Sequence, residues 1–452
     1  MRLDFHRVHL IGAGGAGMSA IAKVLAGMGH QVSGSDQRGG ATLERLADFG
    51  IATFTGHHPE VARAADLVVA SSAVPDRDPE LRAAAEAGVP VWRRPELLAA
   101  LTEGITTIGA TGTHGKTTTT ALLIAALRGA GEDPSFIVGG DLVDWNTNGH
   151  FGSTDLLVVE ADEAFRTFEQ LHLDGLVITN VETEHLEHFG TDSDLLDSFV
   201  KVAESVTGPV VACADDPGAL AVARRTGSVT YGTSLEADWR IEELTAIAGG
   251  NSFELKGPGQ SAHVRLSRPG EHVARNAAGA LALLAAMGRD IEEAALGLGV
   301  FRGVGRRWEL RGTVSGVTLI DDYAHHPTEV TATLGAARGR VTGKVWAVFQ
   351  PHLYSRTVRF REEFGEALAL ADEVVVTDVY GSREEPVPGV TGEQVADSAI
   401  RHGASVHYVP HLTDLAPYLA ERVGAGDLVV TMGAGDVTVV PTELAVRLAE
   451  RG

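Results

Sequence analysis

A chain of 452 residues is too long for one compact core, so two to four domains are expected, and 44% hydrophobic content suits a globular protein. A net charge of −23 argues against a nucleic-acid partner, and the single cysteine, Cys213, excludes an internal disulfide or a cysteine-rich metal site. No apolar run is long enough to span a bilayer and no signal layout opens the chain, so a cytoplasmic protein without a membrane partner is expected.

Residues 7–11 (RVHLI) read as a buried strand, and 18–28 as a helix. Between them lies Gly12-Ala-Gly14-Gly15-Ala-Gly17, and Asp36 follows 19 residues after Gly17. This fits a dinucleotide fingerprint: a diphosphate rests on the helix N-terminus and Asp36 takes a ribose hydroxyl. A UDP-sugar satisfies it as well as NAD does, and a glycine turn kept only for tight packing is the structural alternative.

Further strands are expected at 66–70 and 105–109. The latter runs into Ala110-Thr-Gly112-Thr113-His114-Gly115-Lys116-Thr117-Thr118 and a helix over 116–129, the strand–loop–helix context of a P-loop. Its backbone N–H groups and Lys116 suit phosphates, and the Thr117 hydroxyl suits Mg²⁺. Ala110 replaces the usual first glycine and Gly112 is extra, so the motif is a variant. Strands at 155–159 and 174–179 lead to Glu160 and His185, which should share the P-loop edge of a parallel sheet and suit Mg²⁺ or Mn²⁺. Asp162, Glu163, Glu182 and Glu184 are second-rank acids there, or a solvated face.

Segment 226–268, richer in Thr, Ser and Gly, should add short antiparallel strands, and 273–287 should be helical. Toward the end, Asp321-Asp-Tyr323-Ala-His325-His326-Pro327 follows the strand VTLI, and Gln350-Pro-His352-Leu-Tyr-Ser-Arg356 follows a strand at 344–349. A helix over 355–371 and a strand at 427–431 complete the pattern. Tyr323, His325, His326, His352 and Arg356 could form a pocket for an amino acid, whose ammonium needs an acceptor and whose carboxylate needs a cation. Arg306 and Arg307, beside an expected hinge, could clamp phosphates. Strand–helix alternation throughout predicts three α/β domains over 1–102, 103–308 and 309–452.

These motifs resemble the Mur ligase family along nearly the whole chain. HLIGAGGAGMSAIA, GSD at 34–36, GHHPE at 56–60 and SSAVP at 71–75 are similar to its Rossmann-like UDP-binding domain. ATGTHGKTTTT, VVEADE, TNVETEH, PGEHVARNAA and GVGRR are similar to its P-loop ATPase domain. DDYAHHPTEV, FQPHLYSRT and MGAGD are similar to its Rossmann-like C-terminal domain. TGTHGKTTT marks only the family; DDYAHHPTE and QPHLYSRT narrow the resemblance to the branch that adds L-alanine to UDP-N-acetylmuramate.

The resemblance implies an ATP-dependent ligase of peptidoglycan precursor synthesis, monomeric or weakly dimeric, working through an acyl phosphate. It implies that Gly112, Thr113, His114, Gly115, Lys116, Thr117, Thr118, His272, Asn276, Arg307 and Asp321 serve ATP. Thr117, Glu160 and His185 would hold the metal, with Lys116, Glu160, His185 and Arg307 catalytic. Gly12, Gly14, Gly15, Gly17, Asp36, His57 and Ser72 would bind the UDP-sugar, and Tyr323, His325 and Arg356 the L-alanine. The chain departs from the usual family pattern at Ala164-Phe165 (for Ser-Asp), Glu184 (for Asp) and Val273 (for Asn), and Leu353 sits where some members carry a second arginine. Rival readings are a recycling ligase that joins a preformed peptide to the same sugar nucleotide, a NAD-dependent dehydrogenase, and a non-catalytic nucleotide sensor.

Overall fold

The computed structural model describes residues 3–183, 189–338, 340–382 and 384–451, without the side chain of Phe165. Three sheets form. The first contains β1 (Arg7–Ile11), β2 (Gln31–Asp36), β3 (Ala52–Thr55), β4 (Leu67–Ala70) and β5 (Val91–Arg93), ordered β3-β2-β1-β4-β5 with parallel pairings. The chain builds outward from β1 on one side and then on the other. The carboxyl edge between β1 and β4 is therefore the switch point at which such sheets place a ligand.

The second sheet contains β6 (Thr106–Thr111), β7 (Ser135–Leu142), β8 (Thr147–His150), β9 (Leu156–Glu160), β10 (Gly175–Ile178), β11 (Val210–Cys213), β12 (Val229–Gly232), β13 (Trp239–Ile247), β14 (Gly250–Gly257) and β15 (Gln260–Leu266). β6 lies between β10 and β9, with Ala110 opposite Glu160 and Thr111 opposite Ile178. β9, β10 and β11 are buried, largely aliphatic runs, as expected of parallel strands covered on both faces, while the central β6 (TTIGAT) is buried with threonines and a glycine. β13–β15 pair antiparallel, as expected from 226–268, but run to nine, eight and seven residues rather than forming short strands. Gln260–Leu266 alternates buried and exposed side chains, the mark of a sheet with one wet face.

The third sheet, ordered β16-β17-β21-β18-β19-β20, contains β16 (Glu309–Val314), β17 (Val317–Asp322), β18 (Val345–Phe349), β19 (Glu373–Val376), β20 (Val406–Tyr408) and β21 (Leu428–Met432). Only β16 runs antiparallel to its neighbour among the described pairings. Asp321 and Asp322, expected to follow the strand, are its last two residues.

The chain divides into two compact units, residues 1–267 with 273–302, and 268–272 with 303–452. The first two sheets thus share one unit. The helix Ala16–Gly27 lies against β7 and β8 through small residues, and a Cβ at Gly149 would sit 2.2 Å from the carbonyl oxygen of Ala20. The buried Lys23 ammonium donates to Asn148 Oδ1 at 2.8 Å, while Asn148 Nδ2 donates to Ala16 O at 2.7 Å. Burial lowers the Lys23 pKa, with Arg45 adding to the effect and Asp141 opposing it. Asn148→Ala removes the acceptor of a buried cation and is expected to cost about 1–3 kcal/mol. The check is the midpoint of the first urea transition, since a chain of this kind need not unfold in one step. An unchanged midpoint contradicts the account.

Candidate functional site

In the first unit, the P-loop turns out of β6 into the helix Lys116–Gly129. Gly112 has φ +130°, and a Cβ there would lie 2.1 Å from Thr179 Oγ1, so the close approach of the next strand end requires glycine. Segment 179–182 is stitched to the loop. Thr113 N donates to Asn180 O at 3.1 Å, His114 N to Asn180 Oδ1 at 2.8 Å, and Glu182 N to Thr113 Oγ1 at 2.8 Å. Asp216 holds the same segment from behind, accepting from Val181 N at 3.0 Å. Gly115 begins the helix with its Cβ direction facing the Asn276 carboxamide at 3.1 Å, and Thr118 stands half-buried in the first turn.

Lys116 is mostly buried. Its Nζ donates to Gly112 O at 2.8 Å and Thr113 O at 3.1 Å, and pairs with Glu163 at 2.8 Å and Asp162 at 3.9 Å. Burial opposes its charge, but Glu163, Asp162 and Glu160 outweigh that and raise its pKa. Burial pushes Glu163 up to about 7, with Asp162 adding to it and Lys116 opposing.

Between its ordinary value of 4.5 and about 7 the folded protein keeps the Glu163 proton, and above that window an extra negative charge faces any nucleotide phosphate. ADP affinity should therefore fall as pH rises through about 7 in the wild type, beyond the pH dependence that Glu163→Gln retains. Calorimetric titrations of both proteins at either end of the window check this, and identical pH dependence contradicts it.

Thr117 Oγ1 donates to both Glu160 oxygens, at 3.1 and 3.0 Å, and Glu160 also accepts from Gly139 N at 2.9 Å. A hydroxyl and a carboxylate side by side at the head of a P-loop are hard oxygen donors of the kind Mg²⁺ takes. His185 and Glu184 lie outside the described residues.

The glycine turn is the other candidate anion site of the unit. Asp36 Oδ2 accepts from Gly14 N at 3.0 Å, fixing the turn to the end of β2. Gly15 precedes the helix Ala16–Gly27, whose N-terminus has neither a side-chain cap nor an acid in its first turn. Ser72 lines an open cavity of about 400 Å³ with Val74, Pro75, Asp76, Arg93 and Pro95. His57 Nδ1 stands 3.5 Å from Asp78 Oδ2 and 3.9 Å from Glu80 Oε2. Glu80, which sequence reading did not single out, is buried and accepts from Ser35 Oγ at 2.7 Å and His58 N at 2.9 Å, with His9 at 3.2 Å. Burial opposes its charge, but these bonds win and hold its pKa down. Its sequence signal, Asp78-Pro79-Glu80, reads only as a helix start.

The second unit gathers the amino-acid candidates at the carboxyl edge of its sheet. The Arg306 and Arg307 guanidinium groups both lie over the Tyr323 ring, each 4.9 Å from its centre. His325 meets Tyr323 and His352 edge to face, and its Nδ1 is 3.1 Å from Glu329. Arg356 Nη1 is 3.2 Å from His352 Nδ1, and His352 stacks on Tyr380. Tyr380 had no sequence signal beyond following a strand.

Leu353 is buried and caps the start of the helix Tyr354–Leu368 at φ +67°. Arg306 Nη2 donates to the carbonyls of Gly433 and Gly435, so this arginine braces the MGAGD loop, while Arg307 lies 3.7 Å from Glu329. Asp321 is buried, accepting from Thr431 and Thr438 hydroxyls. The ring of His272 folds over Gly270, and His326 is buried, capping the helix Pro327–Ala337 through its ring and Glu329.

Residues 7–106 match the Mur ligase family catalytic domain, 110–284 the Mur ligase middle domain and 306–435 the Mur ligase glutamate ligase domain. The chain belongs to the Mur ligase family. It is 46% identical to the UDP-N-acetylmuramate–L-alanine ligase of Kineococcus radiotolerans, over 98% of this chain and 97% of the relative. The ligase of the same description from Mycolicibacterium vanbaalenii is 44% identical over 99% and 97% of the two chains. The crystal structure of the UDP-N-acetylmuramate–alanine ligase MurC of Thermotoga maritima superposes with a TM-score of 0.85 at 29% identity, covering 99% of this chain and all of that one. The three-domain α/β architecture is that of this family, and no helix among the described residues is long and apolar enough to cross a membrane.

Proposed function

We propose that this protein joins L-alanine to the lactyl carboxylate of UDP-N-acetylmuramate at the expense of ATP, in the cytoplasm, as a step of peptidoglycan precursor synthesis. The observation that carries the reading is two anion cradles in one compact unit, a glycine turn on the first sheet and a P-loop on the second. The names of the relatives, similar over nearly the full length, support the same activity. Residues 1–102 would serve the sugar nucleotide, 103–308 ATP and 309–452 the amino acid.

In this reading Lys116 exchanges Glu163 for the ATP phosphates, held also by the N–H groups of Gly112–Thr118. Asn276 lines the nucleotide at Gly115. Mg²⁺ or Mn²⁺, held by Thr117 and Glu160 with His185, would neutralise charge on the transferring phosphoryl group. A lactyl carboxylate oxygen forms a bond to the γ-phosphorus as the bond to ADP breaks. The L-alanine amine, after losing a proton, attacks the acyl carbon, and the tetrahedral adduct expels phosphate. Arg356 would hold the alanine carboxylate, with Tyr323 and His325 as walls. His272, Arg307 and Asp321, assigned to the nucleotide by family resemblance, lie in the second unit.

The route predicts the fate of one atom. With ¹⁸O in the lactyl carboxylate, one labelled oxygen per turnover should appear in inorganic phosphate, read by mass spectrometry. Label retained entirely in the sugar nucleotide rules the acyl phosphate out.

A further inference from the structure

The loop after β3 carries two neighbouring histidines that do different work. His58 Nδ1 lies 3.0 Å from Glu60 Oε1, and its ring packs on Phe54. His57, about a third exposed, turns its Nδ1 toward two other carboxylates, with Asp78 Oδ2 at 3.5 Å and Glu80 Oε2 at 3.9 Å. These three donor atoms all lie within 4.8 Å of one another.

The two acids open the helix Pro79–Glu86 and are only 3% and 1% exposed. Among the described residues neither pairs with a lysine or an arginine. Only His9 and His57 can offset them, and a histidine is charged only when protonated. Burying two carboxylates without a fixed cation is costly unless hydrogen bonds satisfy them. Glu80 is satisfied by Ser35, the His58 amide and His9. Asp78 is not. Its Oδ1 accepts from Glu80 N at 2.8 Å, whereas its Oδ2 accepts no hydrogen bond among the described residues and faces the imidazole. A buried carboxylate oxygen left unbonded calls for a partner of its own.

We propose that His57, Asp78 and Glu80 form a binding site for a divalent transition-metal ion of the zinc class, which pins the loop after β3 to the helix Pro79–Glu86. Tetrahedral coordination at about 2.0–2.1 Å sets donors roughly 3.3 Å apart, so a small shift of the His57 ring closes the set. One imidazole nitrogen with two carboxylate oxygens suits zinc better than magnesium, which prefers oxygen alone. Ser35, His9 and the His58 amide hold Glu80 in the way that outer partners orient a ligating carboxylate. The exposed side of His57 gives the ion its entry path and leaves a coordination position for water. The site is independent of the ligase reading, and it gives His57 a partner other than the sugar nucleotide.

The test is titration of Zn²⁺ into the chelator-treated full chain, in competition with a chromophoric chelator. Wild type is compared with Asp78→Asn, His57→Gln and Glu160→Gln, the last removing the candidate metal carboxylate at the P-loop. One equivalent should bind, persist in Glu160→Gln, and weaken by at least roughly 100-fold in Asp78→Asn and in His57→Gln, more than an outer-shell loss costs. Asparagine caps a helix as well as aspartate does, so Asp78→Asn keeps the fold, and His57→Gln alters a side chain that is already part exposed. Zn²⁺ should also raise the melting temperature of wild type and of neither of these two variants. An equivalent that both variants retain overturns the proposal. So does one that disappears in Glu160→Gln, which would place the ion at the P-loop, or a wild-type chain that binds none.

Discussion

Lys116→Met is expected to lower kcat by roughly a hundred- to a thousandfold or more, the scale of removing one preorganised charge from a phosphoryl-transfer site. The variant also carries a stability cost. Lys116 is the close partner of the buried Glu163, and removing one member of such a pair strands the other. Glu163→Gln in the same chain removes the stranded charge, so the double variant should recover thermal stability without recovering turnover. Melting and phosphate release measured on both variants separate the two effects. Near wild-type release from either would remove Lys116 from the phosphate site.

Arg356→Lys should raise the KM for L-alanine by roughly 10- to 100-fold although the charge is kept, because a lysine cannot reproduce a bidentate grip on a carboxylate. Leu353 is buried one turn earlier, so this segment offers no second cation to share the load. The first half-reaction needs only ATP and the sugar carboxylate, so acyl phosphate trapped by hydroxylamine without alanine should be undiminished. An unchanged alanine KM would refute the pocket assignment. Lost trapping would move Arg356 to the phosphates.

Many strands that a parallel sheet buries on both faces were legible as apolar runs, although the equally buried β11 and β19 were not singled out. The P-loop was legible because strand, glycines and helix follow one another in sequence. β17 was read two residues short. Acids are poor strand formers, and nothing local shows that Asp321 is matched by Thr431 and Thr438, or Asp322 by the N–H groups of Trp308 and Ala324. Burial, with Glu329 adding to it and Arg307 and those two amides opposing, pushes Asp322 up to about 6.

Partners were least legible. Any of several acids after β9 could have faced Lys116, and only the fold selects Glu163. The residues WNTNGH contain no apolar run that would mark a strand. Their role in joining the first two sheets depends on Asn148 and Gly149 meeting a helix more than a hundred residues earlier. Glu80 and Tyr380 were invisible for the same reason: each matters through neighbours distant in sequence.

Phosphate release from ATP, measured with every combination of UDP-N-acetylmuramate and single amino acids, tests the central claim most directly. Steady release is predicted only when the sugar nucleotide and L-alanine are both present, with at most one equivalent per enzyme when alanine is left out. Release that ignores the sugar nucleotide, or that proceeds with a preformed peptide and not with L-alanine, would contradict it.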